Sequence, residues 1–234
     1  ELQNSKAPVI EQTSRDFSSA RSVQWNRWQL NIPGVAQSSV DAAELKRGET
    51  IFIVGESGIG KTSFAENLLG VHLDSEIMID GIALKPEEID SYQKNVGWIP
   101  QLPHLAPGTI REQFQLIQPE ISDANIKKEL AELDLYLNEL PYGLDTQLGG
   151  SEEKSSELSG GQMRKIAVAR ALIRKPFLIV ADEPTADLDS HSAEVILKAL
   201  RRAVKEGAAL VCITHIADIQ LEGERTMTVE RVIA

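Results

Sequence analysis

Eight residues, Gly55-Glu56-Ser57-Gly58-Ile59-Gly60-Lys61-Thr62, constrain this chain more than any others. They stand between an apolar run, residues 51–54, and a segment of helical character over residues 61–69. A short buried strand therefore leads through a glycine-rich turn into a helix start. Without Cβ atoms the glycines let the backbone curl so that successive N–H groups face one concavity. The first turn of the helix adds its own unpaired N–H groups and the positive end of its dipole. The stretch predicts a phosphate-binding turn. Lys61 would reach the terminal phosphates, and the Thr62 hydroxyl would take a place on Mg²⁺. That suits a nucleoside triphosphate better than a lone sulfate or carboxylate. A turn that merely joins strand to helix is the plainer alternative, but it leaves the Lys-Thr ending at this spacing unexplained.

The chain has 234 residues, 42% of them hydrophobic, long enough for one well-buried domain or a core carrying an inserted subdomain. A formal net charge of −11 argues against a nucleic-acid surface, which needs a basic face. Cys212 is the single cysteine, so an internal disulfide and a cysteine-based zinc cluster are excluded. Its place in the apolar run 208–213 predicts a buried, inert thiol. No apolar run approaches the roughly 20 residues a bilayer-spanning helix needs, and no signal peptide opens the sequence.

Residues 1–20 are polar, lack a sustained apolar period and begin without Met, and they read as a linker from something longer. From Val23 to Ile32 the apolar positions alternate as in a half-buried strand, with Trp28 out of phase unless Arg27 marks a bulge. A second short strand is expected over residues 40–45 and the loop strand follows. Gly70 reads as a helix cap, residues 76–79 as a strand, Asp80-Gly81 as a turn, and Pro86 as the first turn of a helix reaching Gln93. Residues 96–99 form another strand, ending at Pro100-Gln101. Thr109 and Ser122 then open two helical segments, to about 117 and 133, which read as a helical insert.

At Leu158-Ser159-Gly160-Gly161-Gln162 a further helix starts, with Ser159 and Gln162 in capping-box spacing. Residues 177–181 are a buried strand ending at Asp182-Glu183, Ser190 is expected to cap a helix, and the strand 209–214 ends at His215. Strand and helix alternate on both sides of the insert, which predicts an α/β fold with a mostly parallel sheet. Ligands of such sheets bind beyond the carboxyl ends of the strands. Gly55, Asp182-Glu183 and His215 would thus gather at one edge. There Asp182 can hold Mg²⁺ through its water shell, Glu183 can orient or deprotonate a water, and His215 can contact a terminal phosphate.

These residues resemble one family. The pattern from Gly55 to Thr62 (Walker A), Gln101, the pentapeptide LSGGQ at Leu158 to Gln162, the run from Phe177 to Glu183 (Walker B), Asp187-Leu188-Asp189 and His215 match ATP-binding cassette (ABC) ATPases in order and approximate spacing. The resemblance spans nearly all of the chain from Val23 onward. It implies a P-loop NTPase (RecA-like) core with a mostly parallel sheet, an N-terminal antiparallel β subdomain and an inserted α-helical signature subdomain. The implied division is a linker at 1–20, an ATP-binding core at 21–100 and 173–234, and a helical subdomain at 101–172.

The resemblance also implies roles. ATP and Mg²⁺ are the ligands, with Gly55, Glu56, Ser57, Gly58, Ile59, Gly60, Lys61, Thr62 and Ser63 around the phosphates. Thr62, Gln101 and Asp182 hold the metal, and Glu183, His215, Lys61 and Gln101 carry hydrolysis. Ser159, Gly160, Gly161, Gln162 and Asp189 face a nucleotide held by a second copy or a paralogue of the domain. Capping alone explains Ser159 and Gln162 but not the paired glycines, each of which costs up to about 1 kcal/mol inside a helix. A capped helix end that permits close approach is a second anion site. Two such sites on one chain suggest a closed two-fold pair held together by ATP.

The stretches Pro107-Gly108-Thr109-Ile110-Arg111-Glu112 and Leu140-Pro141-Tyr142-Gly143-Leu144-Asp145-Thr146 resemble the exporter class. There the cassette follows a membrane domain on one polypeptide and works at the cytoplasmic face of a cell membrane, bacterial by this reading. Residues 182–192 resemble exporters of cysteine and glutathione that serve cytochrome assembly. One departure concerns the base: Ile32 stands where an aromatic residue usually stacks on adenine, so that contact is weaker or comes from Trp25 or Trp28. Two other readings stay open, a soluble cassette ATPase outside transport and an ATP-gated dimerisation module without turnover. The first would carry a long insertion or a tandem cassette, the second would lack Glu183 or His215.

Overall fold

A computed structural model describes residues 15–30, 37–71, 76–140, 142–148, 158–215 and 225–231. Ile32 lies outside them, and so does most of the expected N-terminal linker. In chain order, strands β1 (Ser22–Trp25), β2 (Trp28–Leu30), β3 (Ser38–Val40) and β4 (Ala43–Lys46) precede β5 (Thr50–Val54), which leads into helix α1 (Lys61–Leu68). The hairpin β6 (Ile77–Ile79) and β7 (Ile82–Ala83), helix α2 (Ile89–Gln93) and strand β8 (Val96–Ile99) follow. Next come β9 (Gly108–Thr109), α3 (Ile110–Gln115), α4 (Asp123–Ala131), β10 (Gln147–Leu148) and α5 (Gly160–Leu172). The chain continues through β11 (Leu178–Asp182), α6 (Ser190–Lys205), β12 (Ala209–Ile213), β13 (Arg225–Thr228) and β14 (Glu230–Arg231).

The central sheet is parallel throughout, in the order β13-β5-β12-β11-β8. Its three inner strands are apolar at nearly every position because both faces are covered, and the period of two divides their side chains between two cores. Phe52, Ile179, Ala181, Leu210 and Cys212 face a cluster shared with α3 to α6. Ile51, Ile53, Leu178, Val180, Val211 and Ile213 face a second cluster built with α1 and the outer antiparallel strands. The Cys212 thiol is buried, as expected for an inert core residue. No helix among the described residues is long and apolar enough to cross a membrane.

The single strand expected from Val23 to Ile32 is two. β1 pairs with β4 and β6 in a four-stranded antiparallel sheet, whereas β2 pairs with β3 in a separate three-stranded sheet. The break at Asn26-Arg27 resets the alternation, and it places Trp25 and Trp28 against the same ring, Phe64 of α1, each with centroids 5.6 Å apart. The expected strand over 40–45 is likewise divided between β3 and β4, which lie in the same two sheets. At Asp80-Gly81 both residues have positive φ, 53° and 74°, the geometry of a two-residue hairpin turn. Helices α3, α4 and α5 start at Thr109, Ser122 and Ser159, each side chain accepting a backbone N–H three residues on. Helix α6 is capped by Asp189 rather than Ser190; the Asp189 carboxylate accepts from the Ser192 N–H at 2.9 Å. Both residue types cap well, and the ionised carboxylate is the stronger acceptor at a positive helix end.

Residues 15–20, polar enough to read as linker, are anchored. Phe17 is 1% exposed and meets Tyr92 edge-on at 5.6 Å, the Arg15 carbonyl accepts from Ser91, and Arg47 donates to the carbonyls of Ser18 and Ala20. Phe17→Ala is expected to destabilise the fold by about 3 kcal/mol or more. A denaturant midpoint equal to that of the wild type would show that this segment contributes nothing to the core.

Candidate functional site

The parallel register builds the site. Asp182 of β11 lies beside Ile213 of β12, Ile213 lies beside Ile53 of β5, and Ala181 lies beside Ile99 of β8. All four strands therefore end level, and Gly55, Glu183, His215 and Gln101 emerge within two residues of those ends. Glu183, His215 and Gln101 border a cavity of about 580 Å³. From the glycine-rich turn and α1 it is lined by Ser57, Gly58, Gly60, Lys61, Thr62 and Ser63; Gln101, Glu183, His215 and Leu30 complete it.

The turn has the backbone that its glycines predicted. Gly58 and Gly60 have φ of 73° and 103°, and a Cβ on Gly60 would come within 2.6 Å of Leu30 Cδ2 and 3.2 Å of Ser38 Oγ. Gly60 is thus required both by its conformation and by the close approach of β2 and β3. It caps α1, whose first-turn N–H groups have no intrahelical acceptors and open toward the cavity side of the turn. The Lys61 ammonium donates to the carbonyls of Gly55 and Glu56 at 2.9 and 2.8 Å and lies 3.1 Å from His215 Nε2. Burial lowers its pKa, against the raising pull of Glu183 and Asp182.

The two adjacent carboxylates sit in different surroundings. Asp182, 2% exposed, accepts from the Thr62 hydroxyl at 2.6 Å. Burial raises its pKa above 3.8, helped by the neighbouring Glu183 charge and opposed by the Thr62 hydrogen bond, Lys61 and His215. Glu183 turns the other way. His215 Nε2 lies 2.6 Å from its Oε1, and the Gln101 side-chain amide donates to its Oε2 at 3.0 Å. The Glu183 backbone adopts φ 46°, a left-handed conformation that costs a non-glycine residue of order 1–3 kcal/mol.

Thr62 and Asp182 are hard oxygen donors of the kind that suits Mg²⁺. Among the described residues no group of three or more His, Cys, Asp or Glu is arranged around a metal. An ion here would complete its shell with water and phosphate oxygens, as Mg²⁺ commonly does. The residues fit that ion in the company of a triphosphate.

The remaining expected residues stand apart from the cavity. Ser159, Gly160, Gly161 and Gln162 form the start of α5 with the capping box in place: Gln162 N–H donates to Ser159 Oγ, and Ser159 N–H donates to Gln162 Oε1. Gly160 has nothing within 4 Å of where its Cβ would be. Asp189 caps α6, and the hydrogen bonds it accepts from the Ser192 hydroxyl and then from the Ser192 N–H lower its pKa. Neither group lines the cavity of its own chain.

Trp25 and Trp28 are not available to a base. They are 1% and 5% exposed, packed on Phe64, and the Trp25 indole N–H donates to the Asp41 carbonyl. The need to cover α1 takes both rings into the core. Leu30, which sequence reasoning passed over, is the β2 side chain that lines the cavity; its place depends on β2 pairing with β3, which no local signal announced.

Comparison with known proteins places these features in a family. The family model described as ABC transporter matches residues 40–186. The chain is 33% identical over 178 residues to the glutathione/L-cysteine transport system ATP-binding/permease protein CydD of Escherichia coli, an alignment covering 75% of this chain and 30% of that protein. It is 33% identical over 193 residues to ABC transporter B family member 29, chloroplastic, of Arabidopsis thaliana, covering 80% and 30%. It is 34% identical over 177 residues to the ATP-dependent permease MDL1 of Candida albicans, covering 73% and 25%. The chain thus spans less than a third of the length of these relatives. A bacterial Atm1-family ABC exporter structure with ATP bound superposes with a TM-score of 0.77 at 24% identity, covering 98% of this chain and 39% of that one, a likeness of fold.

The raised Asp182 pKa has a consequence for stability. A carboxyl whose folded pKa lies above 3.8 contributes stability below that pH and loses it as the pH rises through the folded value. Asp182→Asn, which keeps an oxygen for the Thr62 hydroxyl, is therefore expected to raise the thermal midpoint of the ligand-free chain at pH 7, with the gain vanishing below pH 4. A lower midpoint at pH 7 would contradict this account of the buried carboxylate. With the P-loop NTPase fold, the level strand ends and the matched family model all in place, the chain belongs to the ABC transporter family.

Proposed function

We propose that this chain is the ATP-binding and ATP-hydrolysing domain of an ABC exporter. The observation that carries the reading is the cavity itself, where one side supplies a helix-end anion cradle and the other a carboxylate held by a histidine and a glutamine. In this reading residues 55–63 cradle the triphosphate and Lys61 moves from its loop carbonyls onto the terminal phosphates. Thr62, Asp182 and Gln101 hold Mg²⁺, which supplies positive charge against the phosphate oxygens. Glu183 orients and deprotonates the attacking water, with His215 and Gln101 fixing its two oxygens.

The capped glycine pair at the start of α5 and Asp189 lie away from the cavity, so they are free to serve a neighbouring copy. We read Ser159, Gly160, Gly161 and Gln162 as the anion site offered to nucleotide on a second such domain, identical or paralogous. A transmembrane domain of the same transporter completes the machine, with the present chain at the cytoplasmic face of the membrane as residues 21–100 and 173–234 around a helical part at 101–172. The named activity of the Escherichia coli relative makes small thiols the first cargo to test.

Lys61→Ala is expected to abolish MgATP binding measurable by calorimetry, since among the described residues its ammonium is the lysine or arginine charge that lines the cavity; unchanged affinity would remove Lys61 from that role. Glu183→Gln is expected to bind MgATP normally and to release phosphate about 100-fold more slowly or worse. Normal phosphate release by that variant would exclude Glu183 as the base.

A further inference from the structure

Arg164 has no place in the roles assigned so far, yet among the described residues it is one of the most buried charges. It lies on the second turn of α5, five residues past the Ser159 cap, and is 5% exposed. A guanidinium withdrawn from water in this way is costly unless it is hydrogen-bonded and near opposite charge. Its Nη1 donates to the backbone carbonyl of Glu183 at 3.2 Å. Burial lowers its pKa, while the carboxylates of Asp187 and Glu183 raise it.

The carbonyl that Arg164 holds belongs to a residue with left-handed φ. The Glu183 N–H donates to the Ile213 carbonyl at 2.9 Å, and its carbonyl also accepts the Ala186 N–H at 3.1 Å. Three contacts therefore fix this peptide: one from β12, one from its own turn and one from α5. The third alone comes from outside the sheet edge, and it comes from the helix whose N-terminus is the LSGGQ pentapeptide.

We infer that Arg164 is a positioning residue: its guanidinium holds the left-handed backbone of Glu183 and ties the direction of that carboxylate to the helix α5. Leu188 Cδ2 lies 3.8 Å from where a Cβ on Gly161 would be, so the same two segments run close together there. The inference rests on the hydrolase reading above.

The test is steady-state ATP hydrolysis by the full chain as wild type, Glu183→Gln, Arg164→Gln and Arg164→Lys, with a thermal melt for each. Arg164→Gln is expected to lower kcat by about tenfold to a hundredfold, the scale of a misaligned reacting group, with the KM for ATP within about twofold of wild type. Arg164→Lys, which keeps a charged donor without the planar fork, is expected to fall between the two. A merely structural role would instead lower the melting temperature and leave the kcat of the folded protein unchanged. If Arg164→Gln fails to fold, Arg164→Lys decides: reduced kcat at unchanged KM supports the inference, and wild-type kcat overturns it. Turnover that is lost in Glu183→Gln but intact in folded Arg164→Gln overturns the inference alone. No turnover by the wild type overturns the hydrolase reading and the inference with it.

Discussion

The register of the parallel sheet is the constraint on which the rest depends. Because Asp182, Ile213 and Ile53 lie side by side, the residues that follow them leave the sheet together. A slip of one residue would turn every strand side chain to the opposite core and move each strand end out of line. The register is protected by burial on both faces, since Phe52, Ile179 and Cys212 belong to one cluster and Ile51, Val180 and Ile213 to the other. Precise placement of the polar groups at the edge is thus a by-product of apolar packing in the middle.

At that edge the structure keeps several costly features close together. Asp182 is a buried carboxylate with a raised pKa, Glu183 carries a left-handed backbone, and Lys61 is nearly buried with its ammonium on loop carbonyls. The Lys61 and Asp182 charges would be better satisfied by a polyanion and a divalent cation than by the protein alone. A triphosphate offers acceptors for Lys61 and for the α1 N–H groups, and Mg²⁺ offers Asp182 the positive charge that burial denies it. Binding of the pair would offset these local costs, which accounts for why the fold tolerates them.

Much of this was legible in the sequence. Unbroken apolar runs that stop at a polar residue marked the strand ends at Gly55, Asp182 and His215. Thr109, and the spacing of Ser159 with Gln162, marked two helix starts, because a cap is a local device. What was not legible depends on contacts distant in sequence. The division of residues 22–30 between two sheets is decided by which partner strands arrive, and a three-residue step between Trp25 and Trp28 fits either a bulge or a break. Phe17 is one aromatic ring in a polar segment and has no period to betray it. Asp189 and Ser190 are adjacent capping residues between which only the geometry chooses. Arg164 reads as any other helix arginine until the Glu183 carbonyl is brought beneath it. The cavity-lining role of Leu30 likewise waits on the β2–β3 pairing.

The capped glycines of α5 and the cradle of α1 do not meet within one chain, and the proposed function reads both as anion sites. Its central claim is that each completes the other across a two-fold pair, with nucleotide between. The most direct measurement is the mass of the Glu183→Gln chain by light scattering with and without MgATP. The account predicts a monomer without nucleotide and a dimer with it, lost again on Gly160→Asp, which blocks the α5 end with a negative side chain. A chain that binds MgATP and remains monomeric would contradict the pairing of these two sites between identical copies.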